Sequence, residues 1–402
     1  MKSWFLILFM CCLMQACGLC QIGGEEDNAV GNIWGGPVDD QEGTESAGSL
    51  CYMVALDYRD GYDWRSDEAR ESVKCSLVVY RDGIPMMKVP VGNLYDSGTD
   101  PDMHRIVEGH LYTDYSVDGE TIIKKDGVPL FRYDGCEAIC GMAVKAGDTY
   151  TLGRSRTGEG FSFRRNGEIV IAREQGDILS GLVDDCDSLC FSFTERIINS
   201  DGLVERHYVS INGKVAQVAV REDIRKVWDV TVCNGKIVYV ASLVGVSLPV
   251  MFVGDSMIGM SLPIGSELVS CSLFKAGDKV GAEGIYRFPN GRCNNVLWID
   301  GNPLVTFGGA EVISAFGAYD DGVFCVVNPE RKDRSGTIYR NGEVYKMPEG
   351  YVVMGNGSIA MINGLLHVGM SSLTGDRPLL WKDGAVDTLQ VNGYITNVSA
   401  VP

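Results

Sequence analysis

Residues 379–389 read LLWKDGAVDTL, with apolar or aromatic residues on both sides of the pair Asp383-Gly384. Such a pair between two β-type runs is a strong signal for a hairpin, because a type I′ turn needs positive φ at both central residues. The unit recurs about every 43 residues. Its copies end at Gly83, Gly127, Gly167, Gly213, Gly301, Gly342 and Gly384, and a degenerate copy carries the reversed pair Gly254-Asp255.

A second series of glycine-bearing turns runs in step, about 20 residues before the first. It includes Gly109, Gly147, Gly235, Gly277, Gly322 and Gly364. Each repeat therefore predicts four strands, A to D, with tight A–B and C–D turns and a longer B–C loop. Four antiparallel strands in a repeat of this length are typical of a β-propeller blade.

The two ends of the repeat region are incomplete in complementary ways. The first unit begins after Gly48 with strand B, and the last unit adds an A-type strand, YITNVSAV, from Tyr394 onward. Pairing of this C-terminal strand with the first blade removes both free edges. We therefore predict an all-β fold, namely an eight-bladed β-propeller closed by its C-terminal strand. If the degenerate fifth unit is not a blade, the count is seven.

The N-terminal segment MKSWFLILFMCCLMQACGLC is typical of an export signal, with Lys2 before an apolar stretch that is too short to span a bilayer. The Ala16-Cys17 pair resembles the cleavage and acylation site of a bacterial lipoprotein. The prediction is a signal peptide over residues 1–16, an acylated Cys17 with a polar tether over 17–47, and a propeller over 48–402. An ordinary secreted protein, cut slightly downstream, is the alternative.

The repeats resemble those of propeller lipoproteins from Bacteroidota, which carry a Y/W-x-[ND]-G signature in each blade. The stretches LLWKDGAVDTL and TIYRNGEVYKMP are close to that form, whereas the copies at Gly213 and Gly254 depart from it. The resemblance covers most of residues 48–402. It implies a protein held in the cell envelope by lipid at the outer membrane, either periplasmic or surface-exposed, and it implies no particular activity.

The charge balance excludes several classes of partner. Asp and Glu number 53 against 35 Lys and Arg, which gives a net charge of −18. Nucleic-acid binding needs basic density, and an anionic bilayer surface repels such a chain, so contact with a membrane is expected only through the lipid anchor. With four histidines and no CxxC pair, neither a metal nor a cofactor is predicted. The cysteines beyond the tether are interpreted as buried thiols, with local disulfides as the alternative.

The longer B–C and D–A loops share one end of the predicted blades, and loops on a rigid scaffold commonly carry recognition. Aromatic side chains stack on sugars or anchor proteins, and guanidinium groups bind carboxylates. The alternative is that the aromatic residues cap the core and the arginines pair with neighbouring acids. The candidate ligand-binding residues are Arg59, Tyr62, Trp64 and Arg65 in the first loop and Arg154, Arg156, Arg196 and Arg331 in later loops.

No HExxH, GxSxG or Walker A motif is present, and no catalytic residue can be named. The predicted function is a binding or scaffold module, a monomeric head on a lipid anchor, for a glycan or an envelope protein. The alternative is a propeller glycoside hydrolase or polysaccharide lyase, which requires acidic residues close together at the channel mouth. A purely structural component of the envelope is a third possibility.

Overall fold

A computed structural model describes most of the chain from residue 50 onward. The described ranges are 50–57, 74–93, 104–117, 119–135, 137–155, 160–185, 188–199, 202–218, 221–276, 279–308, 311–319, 322–329, 335–373, 376–391 and 393–401. The predicted signal peptide, tether and Cys17 lie outside these ranges, as do the candidate residues Arg59, Tyr62, Trp64, Arg65, Arg156 and Arg331.

The described residues are almost entirely β-strand. The first strands are β1 (Leu50–Asp57), β2 (Lys74–Arg81), β3 (Ile84–Asn93), β4 (His104–Val107), β5 (His110–Val117), β6 (Glu120–Lys125), β7 (Val128–Asp134), β8 (Glu137–Lys145), β9 (Asp148–Ser155), β10 (Phe161–Arg165) and β11 (Glu168–Arg173). The next are β12 (Asp177–Asp185), β13 (Ser188–Asn199), β14 (Gly202–Ile211), β15 (Lys214–Gln217), β16 (Ile224–Cys233), β17 (Lys236–Leu243), β18 (Pro249–Val253), β19 (Ser256–Gly259), β20 (Glu267–Ala276), β21 (Lys279–Arg287), β22 (Cys293–Ile299) and β23 (Asn302–Gly308). The last are β24 (Val312–Tyr319), β25 (Gly322–Asn328), β26 (Thr337–Arg340), β27 (Glu343–Lys346), β28 (Tyr351–Val352), β29 (Ile359–Ile362), β30 (Leu365–Ser372), β31 (Leu379–Lys382), β32 (Ala385–Thr388) and β33 (Gly393–Val401), with a 3₁₀ helix at Asn356–Ser358.

Within the described ranges these strands form eight sheets, and consecutive strands are neighbours in nearly all of them. The sheets are β4–β7, β8–β11, β12–β15, β16–β19, β20–β23, β24–β27, the five-stranded sheet β28–β32, and a sheet of order β33-β1-β2-β3. In the last of these, β33 pairs antiparallel with β1, from Leu50 opposite Val401 to Asp57 opposite Gly393. For the described residues, the prediction of an all-β chain of mainly four-stranded antiparallel units is confirmed.

The described residues divide into two compact units. The first unit contains the described residues of 160–161 and 171–329, and the second contains those of 50–155, 162–170 and 335–401. Neither holds a helix with the length and apolar character that crossing a bilayer requires, as far as the chain is described.

The hairpin turns have the backbone geometry that their sequences predict. Asp383 and Gly384 have φ values of 41° and 99°, and the other Asp-Gly and Asn-Gly pairs of the repeat are positive at both residues too. At some turns the glycine is needed for space as well. A Cβ on Gly301 would lie 2.6 Å from Cγ2 of Ile258 and 2.9 Å from the carbonyl oxygen of Gly259, because this turn packs on strand β19 of the neighbouring sheet.

The core lies between the faces of neighbouring sheets. In the first unit, Val240 and Met251 of sheet β16–β19 pack in one cluster with Ala282 and Trp298 of sheet β20–β23. In the second unit, Ile395 and Val398 of β33 pack with Tyr80 of β2 and Leu380 of β31. Fully burying a side chain of this size contributes about 1.5–3 kcal/mol, so these contacts dominate the stability.

Candidate functional site

The loops that leave each sheet share one end, opposite the tight hairpin turns. Within each sheet the strands alternate in direction. The loop between the second and third strands therefore lies at the same end of the sheet as the connection to the next sheet, and we call this end the loop end. In the first unit, three described segments of the loop end are residues 244–248, 260–266 and 288–292.

Arg196, a predicted ligand-binding residue, lies on β13 near the loop end and has acidic neighbours. It stands opposite Glu205 on β14, and its Nε lies 3.4 Å from Oε1 of that residue. Its Nη2 lies 3.9 Å from Oδ2 of Asp177. Surface pairs of this kind contribute about 0–1 kcal/mol each, so they balance charge more than they stabilise the fold.

Other arginines of the first unit have the same arrangement. Nε of Arg287 lies 3.0 Å from Oε1 of Glu267, which stands opposite it in the sheet. Nε of Arg173 lies 2.8 Å from Oε1 of Glu195. Local neutralisation therefore accounts for Arg173, Arg196 and Arg287 without a ligand.

Two loops of the first unit instead expose apolar side chains. Val244, Val246 and Leu248 are all exposed in the five-residue loop after β17, with Val244 67% exposed. Ile264 is fully exposed at the corner of the turn from Pro263 to Ser266. We call these four residues the apolar loop tips. Nothing in the fold requires apolar side chains there, since a hairpin loop can be polar throughout.

The loops that carry these tips are held in defined conformations. The amide of Val244 donates to the carbonyl of Asp223 at 2.8 Å. The amide of Ser266 donates to the carbonyl of Pro263 at 3.1 Å, and Gly265 has the φ of 78° that a type II turn needs at its third position. A Cβ on Gly265 would lie 3.6 Å from Cγ of Pro289, so this turn lies against the loop after β21.

The sequence holds a signal for these tips that is independent of its arginines and aromatic residues. Between Lys236 and Glu267 the chain carries one charged residue, Asp255, although 22% of all residues are charged. Such a stretch predicts buried strands, but it also includes the loops at 244–248 and 260–266. Apolar residues in a loop flanked by Gly and Pro, as in VGVSLP, are the recognisable pattern.

Arg154, the other described candidate, lies near the loop end of β9 in the second unit, beside a buried polar network. In this network Glu137 accepts hydrogen bonds from the Ser162 hydroxyl at 2.8 Å and from Nη2 of Arg164 at 3.0 Å. The Arg164 guanidinium also stacks 4.0 Å over the ring of Tyr133. Burial, followed by the negative charge of Glu137, raises the pKa of Tyr133 far above its usual range.

Two carboxyl groups of the first unit have strongly raised pKa values. Burial raises the pKa of Asp229 to about 7 and that of Glu283 to about 8. Asp229 accepts the amides of Val230 and Leu273 at 2.7 Å each, so one of its oxygens bonds within β16 and the other joins β16 to β20. Glu283 is 8% exposed. These two acids are buried between the sheets. They do not form the pair of substrate-accessible carboxyl groups that glycoside hydrolysis requires.

No family model matches the chain, and no curated protein matches it. Its fold is similar to that of the β-propeller domain of the Trilobed protease from Pyrococcus furiosus, with a TM-score of 0.43 and 11% identity over 74% of this chain and 94% of that one. It is also similar to dihydro-heme d1 dehydrogenase NirN, with a TM-score of 0.47 and 10% identity over 86% of this chain and 75% of that one. A third similar structure is Drosophila Semaphorin 1b, extracellular domains 1-2, with a TM-score of 0.37 and 9% identity over 84% of this chain and 84% of that one. These likenesses carry nothing about activity, ligand or partner.

Proposed function

We propose that this protein is an exported, lipid-anchored β-propeller of eight blades that binds a protein partner at the cell envelope through its loop end. The observation that carries the binding role is the set of apolar loop tips on a strongly acidic chain. Burying them against a partner contributes roughly 25 cal/mol for each Å² removed from water.

The eight sheets of the described ranges support a count of eight blades. The degenerate repeat at Gly254 is a full member of the series, since β18 and β19 form its hairpin within sheet β16–β19. Pairing of β33 with β1 completes the first sheet with four strands. This arrangement supports eight blades over seven, with the C-terminal strand as the closing element.

A protein partner fits the apolar loop tips better than a glycan. Valine, leucine and isoleucine offer neither the flat rings on which sugars stack nor the polar groups that bind hydroxyls. Arg196 and Arg287, at the loop end of this unit, already have acidic neighbours, so they are less available to an acidic sugar. An apolar patch on the partner is therefore the complementary surface.

Binding is tested with the full chain in its native envelope. Photocrosslinking groups placed beside Val246 and Ile264 should capture one discrete partner, and Val246→Ser/Ile264→Ser should abolish its capture. The matched control is Val344→Ser/Val386→Ser, which removes two exposed valines from the outer strands β27 and β32. Equal loss in both double variants, or retention in both, contradicts recognition by the loop tips. Retention of an envelope glycan that is lost only with the loop variant would favour a sugar ligand instead.

The lipid anchor is tested separately. Wild-type protein should incorporate an alkyne-tagged fatty acid and sediment with the membranes, whereas Cys17→Ser should do neither. Labelling that persists in Cys17→Ser would place the acyl chain elsewhere. Release of an unlabelled wild-type protein would favour the secreted alternative.

A further inference from the structure

The apolar loop tips belong to one continuous stretch of surface at the loop end of the first unit. The amide of Met260 donates to the carbonyl of Pro249 at 2.9 Å, so the loop before Pro249 adjoins the loop that starts at Met260. The first of these loops also bonds to Asp223, and the second lies against Pro289. We call the exposed parts of the four segments joined in this way the tip surface. The segments are residues 221–226, 244–248, 260–267 and 287–292.

The tip surface carries an excess of positive charge, unlike the chain as a whole. Its segments hold five basic residues and three acidic ones, whereas the net charge of the whole chain is −18. Two of the acidic residues already pair with arginines of the same surface. Arg225 and Arg292 are exposed, and neither forms an ion pair with an acidic residue of the described ranges. The basic residues are Arg221, Arg225, Lys226, Arg287 and Arg292, and the acidic ones are Glu222, Asp223 and Glu267.

The sequence before the first strand has the complementary chemistry. Residues 25–42 read EEDNAVGNIWGGPVDDQE, with six acidic residues and no basic one. The acidic residues lie at both ends, in 25–27 and 39–42, and the apolar residues lie between them. These apolar residues are Ala29, Val30, Ile33, Trp34 and Val38. The segment, which lies outside the described residues, thus combines an apolar centre with acidic ends.

An occupant of the tip surface needs both an apolar centre and acidic groups around it. We propose that residues 25–42 cover the tip surface of their own chain and that a protein partner must displace them. Trp34 is the expected anchor, since tryptophan supplies a large apolar area and is enriched at the centres of interfaces. Val246 and Ile264, both exposed, are the complementary side chains. The displacement rests on the proposed function, whereas the covering contact does not.

Charge and chain length both support this contact. The acidic ends of the segment complement Arg225 and Arg292, and complementary charges fix the register of a contact. Trp34 precedes Leu50, the first described residue, by sixteen residues, and an extended chain of that length spans up to about 55 Å. Attachment to the same chain gives the segment an effective concentration of roughly 1 mM, so that even a weak contact is occupied.

The contact is tested in the full chain, purified in detergent micelles without other envelope proteins. A photocrosslinking residue placed at Val246 or at Ile264 should join to residues 25–42, which mass spectrometry of the digested protein detects. The control position is Val344 on β27, which is 56% exposed and should give no such product. Absence of this product from both loop positions, or an equal yield from Val344, overturns the proposal.

An equal mixture of isotope-labelled and unlabelled chains separates contact within a chain from contact between chains. The two peptides of each crosslinked product should carry the same label. Products with mixed labels in statistical proportion would assign the segment to a second copy and overturn covering within one chain.

The apolar half of the contact is tested by Ile33→Ser/Trp34→Ser. This variant should lower the crosslink yield from Ile264 at least threefold, and it should raise the capture of the envelope partner because the tips are uncovered. An unchanged crosslink yield overturns the proposal. Failure to capture a partner with either protein contradicts the proposed function alone, because the crosslink within the chain is measured without a partner.

The charged half of the contact is tested by Arg225→Glu/Arg292→Glu, which should lower the same crosslink yield at least threefold. The matched control, Arg132→Glu/Arg206→Glu, makes the same change of net charge at two exposed arginines on β7 and β14 and should leave the yield unchanged. An unchanged yield in the test variant, or an equal loss in the control, overturns the role of Arg225 and Arg292. Circular dichroism spectra of both variants distinguish a lost contact from lost folding, and the wild-type crosslink remains decisive where a variant unfolds.

Discussion

At the scale of single residues, the packing of sheets around Glu283 has a measurable consequence. Glu283 stands on β21 opposite Ser272 on β20 and Leu297 on β22. Burial raises the pKa values of the nearby thiols of Cys271 and Cys325. The ionised form of Asp229 adds to the effect on Cys271, and that of Glu283 adds to the effect on both thiols. Burial raises the pKa of Glu283 from its ordinary 4.5 to about 8, so the folded protein holds a proton that the unfolded chain has lost near neutral pH.

The free energy of unfolding should therefore fall as pH rises from about 4.5 to about 8, with no further change from this group above pH 8. A raised pKa of one acid changes stability by at most about 1.4 kcal/mol per pH unit in that window. Glu283→Gln should remove this share of the slope and gain stability over wild type progressively towards pH 8. Urea unfolding between pH 5 and pH 9 measures both quantities.

The matched control is Glu168→Gln, which changes an exposed carboxyl on the outer strand β11. This control should leave the pH dependence of the free energy of unfolding as it is in the wild type. The pH dependence that remains in Glu283→Gln should come from Asp229, whose pKa is also raised. If Glu283→Gln keeps the full wild-type slope, the carboxyl is ionised in the folded protein.

At the scale of elements, a buried ion pair joins three strands of the first unit. Asp185 ends β12, and it accepts the amides of Asn234 and Gly235 in the β16–β17 turn at 2.9 and 2.8 Å. Nζ of Lys275 on β20 lies 3.1 Å from Asp185, and the two side chains are 6% and 1% exposed. Burial opposes ionisation of Asp185, but these hydrogen bonds and the lysine outweigh it and lower its pKa.

Lys275→Met should destabilise the protein by about 3 kcal/mol, because it leaves the buried Asp185 carboxylate without the positive charge that offsets its loss of hydration. Arg287→Met breaks an exposed pair and should cost less than about 1 kcal/mol. Chemical denaturation at pH 7 measures both. The depressed pKa of Asp185 further implies that the wild-type contribution disappears as pH falls below about 4, towards the folded-state pKa. Equal effects of the two variants would show that the Lys275 pair contributes no more than a surface pair.

The tight turns offer a second comparison between elements. Gly301 and Gly342 both have positive φ, 76° and 85°, but a Cβ would clash only at Gly301 and would meet nothing within 4 Å at Gly342. Gly342→Ala should cost about 1–2 kcal/mol for the left-handed backbone alone. Gly301→Ala should cost roughly 1–3 kcal/mol more, since the backbone oxygen of Gly259 cannot move aside cheaply. Equal melting temperatures of the two variants would contradict the close packing on β19.

The hairpins were predictable because each Asp-Gly or Asn-Gly pair constrains φ locally. The hairpin of β29 and β30 was predictable in the same way from its turn at Gly364. The extra short strand β28 and the 3₁₀ helix were not, and the helix depends on tertiary packing of Ser358, whose hydroxyl donates to the carbonyl of Ile395 at 3.4 Å. The arginines of the loop end were predictable as residues on loops. Their acidic partners, such as Glu205 opposite Arg196, follow from strand register, which the sequence alone leaves open.

At the scale of the whole molecule, the pairing of β33 with β1 joins the end of the chain to its first described strand. Ile395 is fully buried and Val398 is 4% exposed, so β33 contributes to a core as well as to a sheet. Removing residues 393–402 takes away both contributions and leaves β1 with a free edge. A free edge is a template for pairing with another chain.

The truncated chain should lose several kcal/mol of stability and associate, whereas Ile395→Ala should remain monomeric and lose about 2–5 kcal/mol. Light scattering after size exclusion measures association, and thermal unfolding measures stability. A truncated chain that stays monomeric with the wild-type melting temperature would contradict the role of β33.

The same pairing imposes an order on biosynthesis. A ribosome makes Leu50 long before it makes Val401, the residue that faces it across the sheet. Strand β1 thus waits for its partner until nearly the whole chain has been translated. A nascent polypeptide of this kind therefore cannot complete its first sheet until its last strand has left the ribosome, although the strands of the other sheets can pair earlier.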